Sequence, residues 1–257
     1  MCSHTVPSES NMPNSLAFHR RFHLIACHVL WRELCYFTSL SPHLFTFNFV
    51  KQGLHNTPEL LREQLQKAVD EAPDECDAIL LGYGLCSNGA ASVVARGKKL
   101  VIPKAHDCIT FFLGSKERYR AYFDAHPGTY WYTPGWIECS VQPGKGRFDL
   151  LRKEYSEKYG EENADYLMEM EQRWMKEYNN AAYVDLGMGD NARHIEFTRE
   201  CAQWLGWGCD ELTGDASLIK DFVDGRWDTD RFLIVEPGES IQPSHDDQVV
   251  KAGSVIP

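Results

Sequence analysis

The sequence contains cysteine and histidine residues whose side chains could bind a metal ion. Residues 103–108 read Pro-Lys-Ala-His-Asp-Cys, so His106 and Cys108 are separated by one residue. Cys86 follows a glycine-rich stretch, and an earlier apolar run ends at Cys27. Zinc prefers thiolate and imidazole ligands, and a catalytic zinc site uses three protein ligands with one open position. Cys27, Cys86 and Cys108, or two of them with His106, are therefore the candidate zinc ligands.

Other interpretations of these residues remain open. Cys86 could act as a nucleophile activated by His106, because a Cys–His pair lowers the thiol pKa. Asp107 and Glu33 could orient the ligands as catalytic carboxylates, although Asp107 could also simply cap the following helix. A free cysteine often packs as a small hydrophobe. We expect this packing role for the five cysteines after Cys27 that are not candidate zinc ligands: Cys35, Cys76, Cys139, Cys201 and Cys209.

A glycine-rich turn lies between the two cysteine segments. It resembles the turns that let the backbone approach an anion, but it lacks both the G-x-G-x-x-G and the P-loop spacing. Residues 130–136 are rich in Tyr and Trp and form either a lid over a planar ligand or the core side of an edge strand. The candidate ligand-binding residues from these two segments are Gly82, Tyr83, Gly84, Ser87, Asn88 and Trp136.

A second glycine-containing segment lies further along the chain. Residues 183–192 read Tyr-Val-Asp-Leu-Gly-Met-Gly-Asp-Asn-Ala, which gives G-x-G-x-x-A after a predicted strand. Acidic residues Asp210 and Glu211 follow about one strand later. Nucleotide-binding folds use this arrangement to hold a ribose. The alternative is a plain strand-to-helix turn.

Alternating strand and helix patterns must position these residues. Apolar runs typical of strands alternate with helical spacing, which predicts an α/β fold: a mostly parallel open sheet with helices on both faces. In such sheets ligands bind beyond the carboxyl ends of the strands, where Cys27, Cys86 and Cys108 are predicted to lie. The predicted strands are 22–27, 44–50, 78–81, 100–103, 129–136, 181–186, 208–212 and 231–235. The predicted helices are 29–37, one opening at 57–59, one starting at 90–95, 109–125, a charged insertion at 148–178, 192–205 and 216–223.

The domain organisation follows from these patterns. We expect a disordered N-terminal extension at 1–21, a single α/β domain at 22–238 and a polar C-terminal tail at 239–257. Met12 is an alternative translation start. No N-terminal segment has the pattern of a secretory signal, and the apolar run at 24–31 is too short to span a membrane. With nine cysteines, a reducing cytoplasm is the expected setting, with the cysteines as free thiols, metal ligands or reactive groups.

Composition excludes several partners. The 257 residues contain 26 Lys and Arg against 37 Asp and Glu, a formal charge of −11. Binding to nucleic acid or to an anionic membrane needs clustered basic residues. We therefore expect a small-molecule ligand rather than a nucleic acid or a membrane.

Several motifs taken together resemble a known family. They are Leu81–Gly89, Ile102–Ile109, Leu113–Tyr119, Pro127–Tyr130 and Thr133–Trp136. This ordered series resembles a domain-of-unknown-function family of anaerobic bacteria and methanogenic archaea, encoded near corrinoid-dependent methyltransferases. The resemblance covers about residues 22–238, and the Gly187–Gly189 turn is not typical of it. It implies a role in anaerobic one-carbon metabolism, with a corrinoid protein or a methyltransferase as a partner.

Three functions are compatible with these observations. The first is a zinc-dependent methyl or alkyl transferase that uses a metal-bound thiolate. The second is a non-catalytic protein that binds or delivers a corrinoid, a metal or a methylated ligand. The third is an iron–sulfur protein. We expect the first.

Overall fold

The computed structural model describes residues 19–254, and its strands form three sheets. The ten strands within these residues are β1 (Arg21–Cys27), β2 (Leu44–Val50), β3 (Ala78–Gly82), β4 (Leu100–Pro103), β5 (Thr129–Tyr132), β6 (Asn180–Asp185), β7 (Gly208–Thr213), β8 (Phe232–Val235), β9 (Glu239–Pro243) and β10 (Val250–Ser254). The largest sheet has the order β2-β1-β3-β4-β8, parallel except for β8. The predicted α/β fold with a mostly parallel sheet is confirmed.

Helices surround the sheets. The nine α-helices of the described residues are α1 (Trp31–Leu40), α2 (Pro58–Asp70), α3 (Ile109–Leu113), α4 (Lys116–Ala125), α5 (Pro134–Cys139), α6 (Lys145–Tyr159), α7 (Glu161–Glu171), α8 (Asn191–Leu205) and α9 (Ser217–Val223). Short 3-10 turns cover His28–Leu30, Leu54–Asn56 and Arg173–Glu177. None of these helices has the length and hydrophobicity needed to cross a membrane.

The core of the large sheet explains the apolar runs of the sequence. All five residues of β3 are buried, and β1 is buried from its second residue to its last. A strand covered on both faces needs apolar side chains at every position rather than at alternate ones. The residues that follow β1, β3 and β4 consequently reach the same carboxyl edge of the sheet, because these strands are parallel neighbours.

A second parallel sheet has the order β5-β6-β7. The sequence predicted one sheet, whereas β5 pairs with β6 and forms the edge of a separate one. The charged insertion at 148–178 lies between these two strands in sequence and folds into α6, α7 and the 3-10 turn at 173–177. Gly160, with a φ of 81°, separates the two helices.

Four further segments differ from the sequence predictions. Residues 134–136, predicted as the end of the strand 129–136, begin α5, and the helix predicted at 109–125 is divided at Gly114 into α3 and α4. The helix predicted to start at 90–95 is wrong: these residues form turns, and Val94 makes an isolated bridge to Ser240. Residues 239–257, expected to be a polar tail, contain the antiparallel pair β9 and β10, with Ile241 and Val250 buried in the core. Pairing with this hairpin overrides the helical tendency of the alanine-rich segment. Most of the predicted extension at 1–21 lies outside the described residues.

Candidate functional site

A cleft of about 1010 Å³ is lined by residues associated with both the large sheet and the second sheet. One side consists of the loops that follow β2, β3 and β4, and the other of β5, α5 and the start of α6. This is the carboxyl edge of the large sheet, where open α/β folds bind ligands. The predicted site residues that line the cleft are Cys86, Ser87, Asn88, His106, Asp107, Cys108 and Trp136.

The three predicted thiol ligands lie near one another at this edge of the sheet, but not close enough to share one metal ion. Cys86 and Cys108 line the cleft, whereas Cys27 is buried and does not. All three thiols are close enough to Tyr83 to raise the pKa of its phenol, after burial, which is the largest cause. The Tyr83 hydroxyl is buried and makes no hydrogen bond of good geometry. The three thiols therefore lie near one buried hydroxyl, and the Cys27 thiol is near enough for a weak hydrogen bond with it.

Burial determines the ionisation of these thiols. It raises the pKa of Cys27, Cys86 and Cys108; Cys27 adds to the increase at Cys86, and Cys27 and Cys86 both add to the increase at Cys108. Asp107 adds its negative charge to the effect on Cys86 and Cys108. Protonated thiols are weak nucleophiles. Burial therefore works against Cys86 as a free cysteine nucleophile.

Close backbone packing explains the glycine-rich turn. A Cβ atom at Gly84 would lie 2.6 Å from the backbone nitrogen of Asp107. The amides of Leu85 and Cys86 donate to the carbonyl oxygens of Ala105 and His106, both at 2.8 Å. The turn thus holds the Cys86 loop against the His106 loop. Gly82, Tyr83 and Gly84 do not line the cleft and serve this packing.

The residues after this turn adopt a rare conformation. Cys86, Ser87 and Asn88 have φ angles of 47°, 55° and 66°, which gives three successive residues in the left-handed region. For residues with a Cβ atom this costs roughly 1–2 kcal/mol each. Such strain occurs at functional sites that the surrounding structure holds in place. Here the Cys86 amide hydrogen bond to the neighbouring loop supplies part of that restraint.

Asp107 holds its own loop. One oxygen accepts the backbone N–H of Ile109 at 2.9 Å, and the other accepts the Tyr119 hydroxyl at 2.9 Å. Burial raises the pKa of Asp107, while the two hydrogen bonds act in the opposite direction. Asp107 therefore caps the start of α3 and fixes the position of Cys108 at the same time. His106, next to it, is exposed in the cleft.

Aromatic rings form the wall opposite the thiols. The rings of Tyr130, Trp174 and Tyr178 contact one another with centroid distances of 5.4–6.0 Å. Trp136, the residue predicted in the lid, packs edge-on against His55 at 5.5 Å. The wall is suited to an apolar or planar ligand.

The helical insertion contributes to this wall, which the sequence did not indicate. Arg147 of α6 lines the cleft, pairs with Glu171 and lies 6.0 Å from the Trp174 ring. The segment reads as a solvated helical pair because charged residues dominate it. The only feature of this segment's sequence that could have indicated a role in the cleft is the aromatic pair Trp174 and Tyr178, spaced by four residues.

Glu33 does not line the cleft. It lies in the first turn of α1, is 0% exposed, and neither carboxylate oxygen has a hydrogen-bond partner. Burial raises the pKa of Glu33 to about 7; Arg32 acts in the opposite direction, and Glu138 and Asp185 add to the increase. The structure thus keeps this predicted carboxylate out of the cleft that His106 and Asp107 line.

Cys139, which we predicted to be a packing residue, lies beside the thiol site. Its sulfur lies 3.5 Å from Nδ1 of His28, and its charge would affect the pKa of Cys27. All eight cysteines within residues 19–254 are free thiols. In this part of the chain, no three His, Cys, Asp or Glu side chains are close enough together to share a metal ion.

Comparison with known proteins identifies one match. A family model described as a protein of unknown function (DUF1638) matches residues 49–223. This range contains Cys86, His106, Cys108 and the aromatic wall, but neither Cys27 nor Glu33. No curated protein and no solved structure matches the chain.

Proposed function

The chain belongs to the DUF1638 family of proteins of unknown function, and we propose that it is a metal-binding protein in which Cys27, Cys86 and Cys108 hold zinc at the floor of the cleft. The observation that carries the proposal is that three thiols, from the ends of three neighbouring strands, lie near one buried hydroxyl, that of Tyr83, which makes no hydrogen bond of good geometry. Three thiolates leave one position of a tetrahedral zinc open. Because Cys86 and Cys108 line the cleft, that position would face a bound ligand.

Zinc binding requires the sulfurs to turn toward one another. Zn–S bonds are about 2.3 Å long, and the three side chains are not that close in this conformation. The orphaned Tyr83 hydroxyl fits a polar group bound among the sulfurs, since a buried hydroxyl without a partner is costly. His106, exposed at the same edge, is the alternative ligand to Cys27.

The chemistry that such a site supports is alkyl transfer to a thiol. The metal would hold an acceptor thiol as its thiolate, which is nucleophilic at neutral pH, with the thiol proton released to solvent. The sulfur attacks the methyl or alkyl carbon of a donor, the new C–S bond forms, and the donor leaves with the electron pair of the broken bond. Asp107 acts as a positioning residue, because it caps α3 beside Cys108.

The donor class and the cellular setting belong to the same proposal. The family resemblance suggests a methylated corrinoid or another one-carbon donor, presented by a corrinoid protein or a methyltransferase. The aromatic wall is compatible with a planar or apolar ligand. Reduced thiols need a reducing compartment such as the cytoplasm.

Metal content after anaerobic purification tests the proposal. We expect about one equivalent of zinc per chain in the native protein and in Cys209→Ser, a variant of the exposed thiol on β7. Cys86→Ser and Cys108→Ser should each lower the zinc content at least tenfold, because each removes one of three protein ligands. Zinc or iron below about a tenth of an equivalent in the native protein, unchanged on adding zinc, would contradict it.

A binding protein without turnover is the second candidate. It is favoured by the spacing of the three sulfurs, which do not form a ready ligand set, together with the large aromatic cleft. Saturable binding of a methylated ligand with no product in the presence of a thiol acceptor would support it. Visible colour of an anaerobic preparation, lost in Cys86→Ser, would instead indicate an iron–sulfur cluster.

A further inference from the structure

A strand, a glycine turn and a helix follow one another at residues 180–205, away from the thiol cleft. β6 ends at Asp185, and α8 begins at Asn191. Between them Gly187 and Gly189 have φ angles of 77° and 85°, which favour glycine. A Cβ atom at Gly187 would meet no other atom within 4 Å. The turn therefore borders open space rather than packed protein.

A cavity of about 500 Å³ lies at this turn and along the end of β7. Asp185 and Gly187 line it from β6 and the turn, and Glu211 and Thr213 line it from β7. Glu211 is the register partner of Tyr183 on β6. In nucleotide-binding βαβ units, an acidic residue on the second strand accepts hydrogen bonds from the ribose hydroxyls. The structure places the acidic residue and the glycine turn in one cavity.

Glu211 has an oxygen free for such a ligand. Arg199 of α8 donates to Oε1 of Glu211 with two of its nitrogens. Both contacts use the same oxygen, so Oε2 can accept a further hydrogen bond. A carboxylate oxygen that accepts from hydroxyl groups forms a strong, charge-assisted hydrogen bond.

The surroundings of the turn disfavour a phosphate. The Gly187 amide already donates to the Asp185 carboxylate, and the Arg193 amide in the first turn of α8 donates to Asp190. These are the types of backbone donor that phosphate-binding turns present to the anion. Among the described residues that line the cavity, two are carboxylates and none is Lys or Arg.

The nearby arginines are engaged elsewhere. Arg32 pairs with Glu138 at 2.6 Å, and Arg118 donates to the carbonyl oxygen of Thr213 at 2.6 Å. Beneath the turn, Arg32 Nε and His194 Nδ1 are buried without hydrogen-bond partners. His194 is 8% exposed, and a Cβ atom at Gly189 would lie 3.3 Å from Arg32 Nε. Polar groups thus remain unsatisfied next to the turn.

We propose that this cavity binds an unphosphorylated nucleoside, with its ribose hydroxyls on Glu211 and any cationic substituent beside Asp185. The volume of about 500 Å³ accommodates a ligand of this size. Arg199 offsets the charge of Glu211, so the Asp185 carboxylate is the group that favours a neutral or sulfonium nucleoside over a nucleotide. The site is independent of the proposed zinc site, because it uses different strands and different residues.

Calorimetric titration of the full-length protein tests this inference. Adenosine should bind saturably. 2′-Deoxyadenosine should bind at least about tenfold more weakly because it lacks one ribose hydroxyl, and ATP should bind at least about tenfold more weakly because it adds negative charge. If S-adenosylmethionine binds more tightly than adenosine, the natural ligand is cationic. If the two bind with equal affinity, the natural ligand is a neutral nucleoside. Both results support the proposal.

Variants of two acidic residues provide the control. Glu211→Gln should weaken adenosine binding roughly tenfold, whereas Glu196→Gln should leave it unchanged. Glu196 also pairs with Arg199, at 3.4 Å, but does not line the cavity. Absence of saturable binding, ATP binding tighter than adenosine, or an unchanged affinity in Glu211→Gln would overturn the proposal. None of these results bears on the metal content.

Discussion

Glu33 allows a quantitative prediction about stability and pH. Its carboxyl group is fully buried, and burial raises its pKa from the ordinary 4.5 to about 7. One pKa unit corresponds to about 1.4 kcal/mol. The difference in the pKa of Glu33 between the folded and the unfolded chain therefore corresponds to about 3 kcal/mol of unfolding free energy.

The direction in which stability changes with pH follows from the number of protons that the folded and unfolded states bind. Between pH 4.5 and about 7 the folded chain keeps the Glu33 proton that the unfolded chain loses. Stability falls with rising pH wherever the folded state binds more protons. The contribution is present below pH 4.5 and is lost as the pH rises to about 7.

Glu33→Gln removes this dependence while preserving the shape of the side chain. We expect the variant to be more stable than the native protein by about 3 kcal/mol at pH 8, with a much smaller difference at pH 5. Urea unfolding of both proteins, followed by tryptophan fluorescence across this range, measures it. Comparing the two proteins cancels the other titrating groups. Glu63→Gln, at an exposed position of α2, is the control and should show no pH-dependent difference.

Two outcomes would refute this reasoning. One is a difference between the proteins that does not change with pH. The other is a Glu33→Gln variant that is less stable than the native protein at pH 8. Either result would mean that the Glu33 carboxylate is satisfied by a partner in solution.

Three further predictions follow from the same structure. Burial raises the pKa of Cys86, so an alkylating agent at pH 8 should label the exposed Cys209 first; equal rates by peptide mass spectrometry would contradict this. Gly135→Ala should lower the unfolding free energy by about 3 kcal/mol in urea, because the new Cβ would lie 1.8 Å from the Val29 carbonyl oxygen; a loss under about 0.5 kcal/mol would contradict the close packing. Tyr83→Phe should stabilise the metal-free protein by about 1 kcal/mol by removing an unsatisfied hydroxyl, and destabilisation would show that this hydroxyl has a partner.

The sequence predicted much of the large sheet and part of the site. Continuous apolar runs such as 78–81 and 100–103 have the length of buried strands, and parallel pairing brings the residues after them to one edge. Cys86, His106 and Cys108 therefore line one cleft. Cys27 ends its strand as predicted, but it is buried and does not line the cleft. The sequence could not predict this, because it does not show which way a side chain points.

Other features could not be predicted because they depend on long-range pairing. Residues 129–132 read as a strand, but nothing in them shows that they join β6 rather than the large sheet. Val94 lies in an alanine-rich segment with helical tendency, yet its bridge to Ser240 holds it extended. Arg147 belongs to a charged helix and still reaches the cleft. In each case a partner distant in sequence determines the outcome.

The most direct test of the central proposal is zinc K-edge X-ray absorption of protein loaded with one equivalent of zinc. We predict three sulfur ligands at about 2.3 Å in the native protein. The zinc that Cys86→Ser still retains should have two sulfur ligands, and Cys209→Ser should leave the count at three. A shell of nitrogen and oxygen ligands alone, or a sulfur count unchanged in Cys86→Ser, would contradict the proposed site.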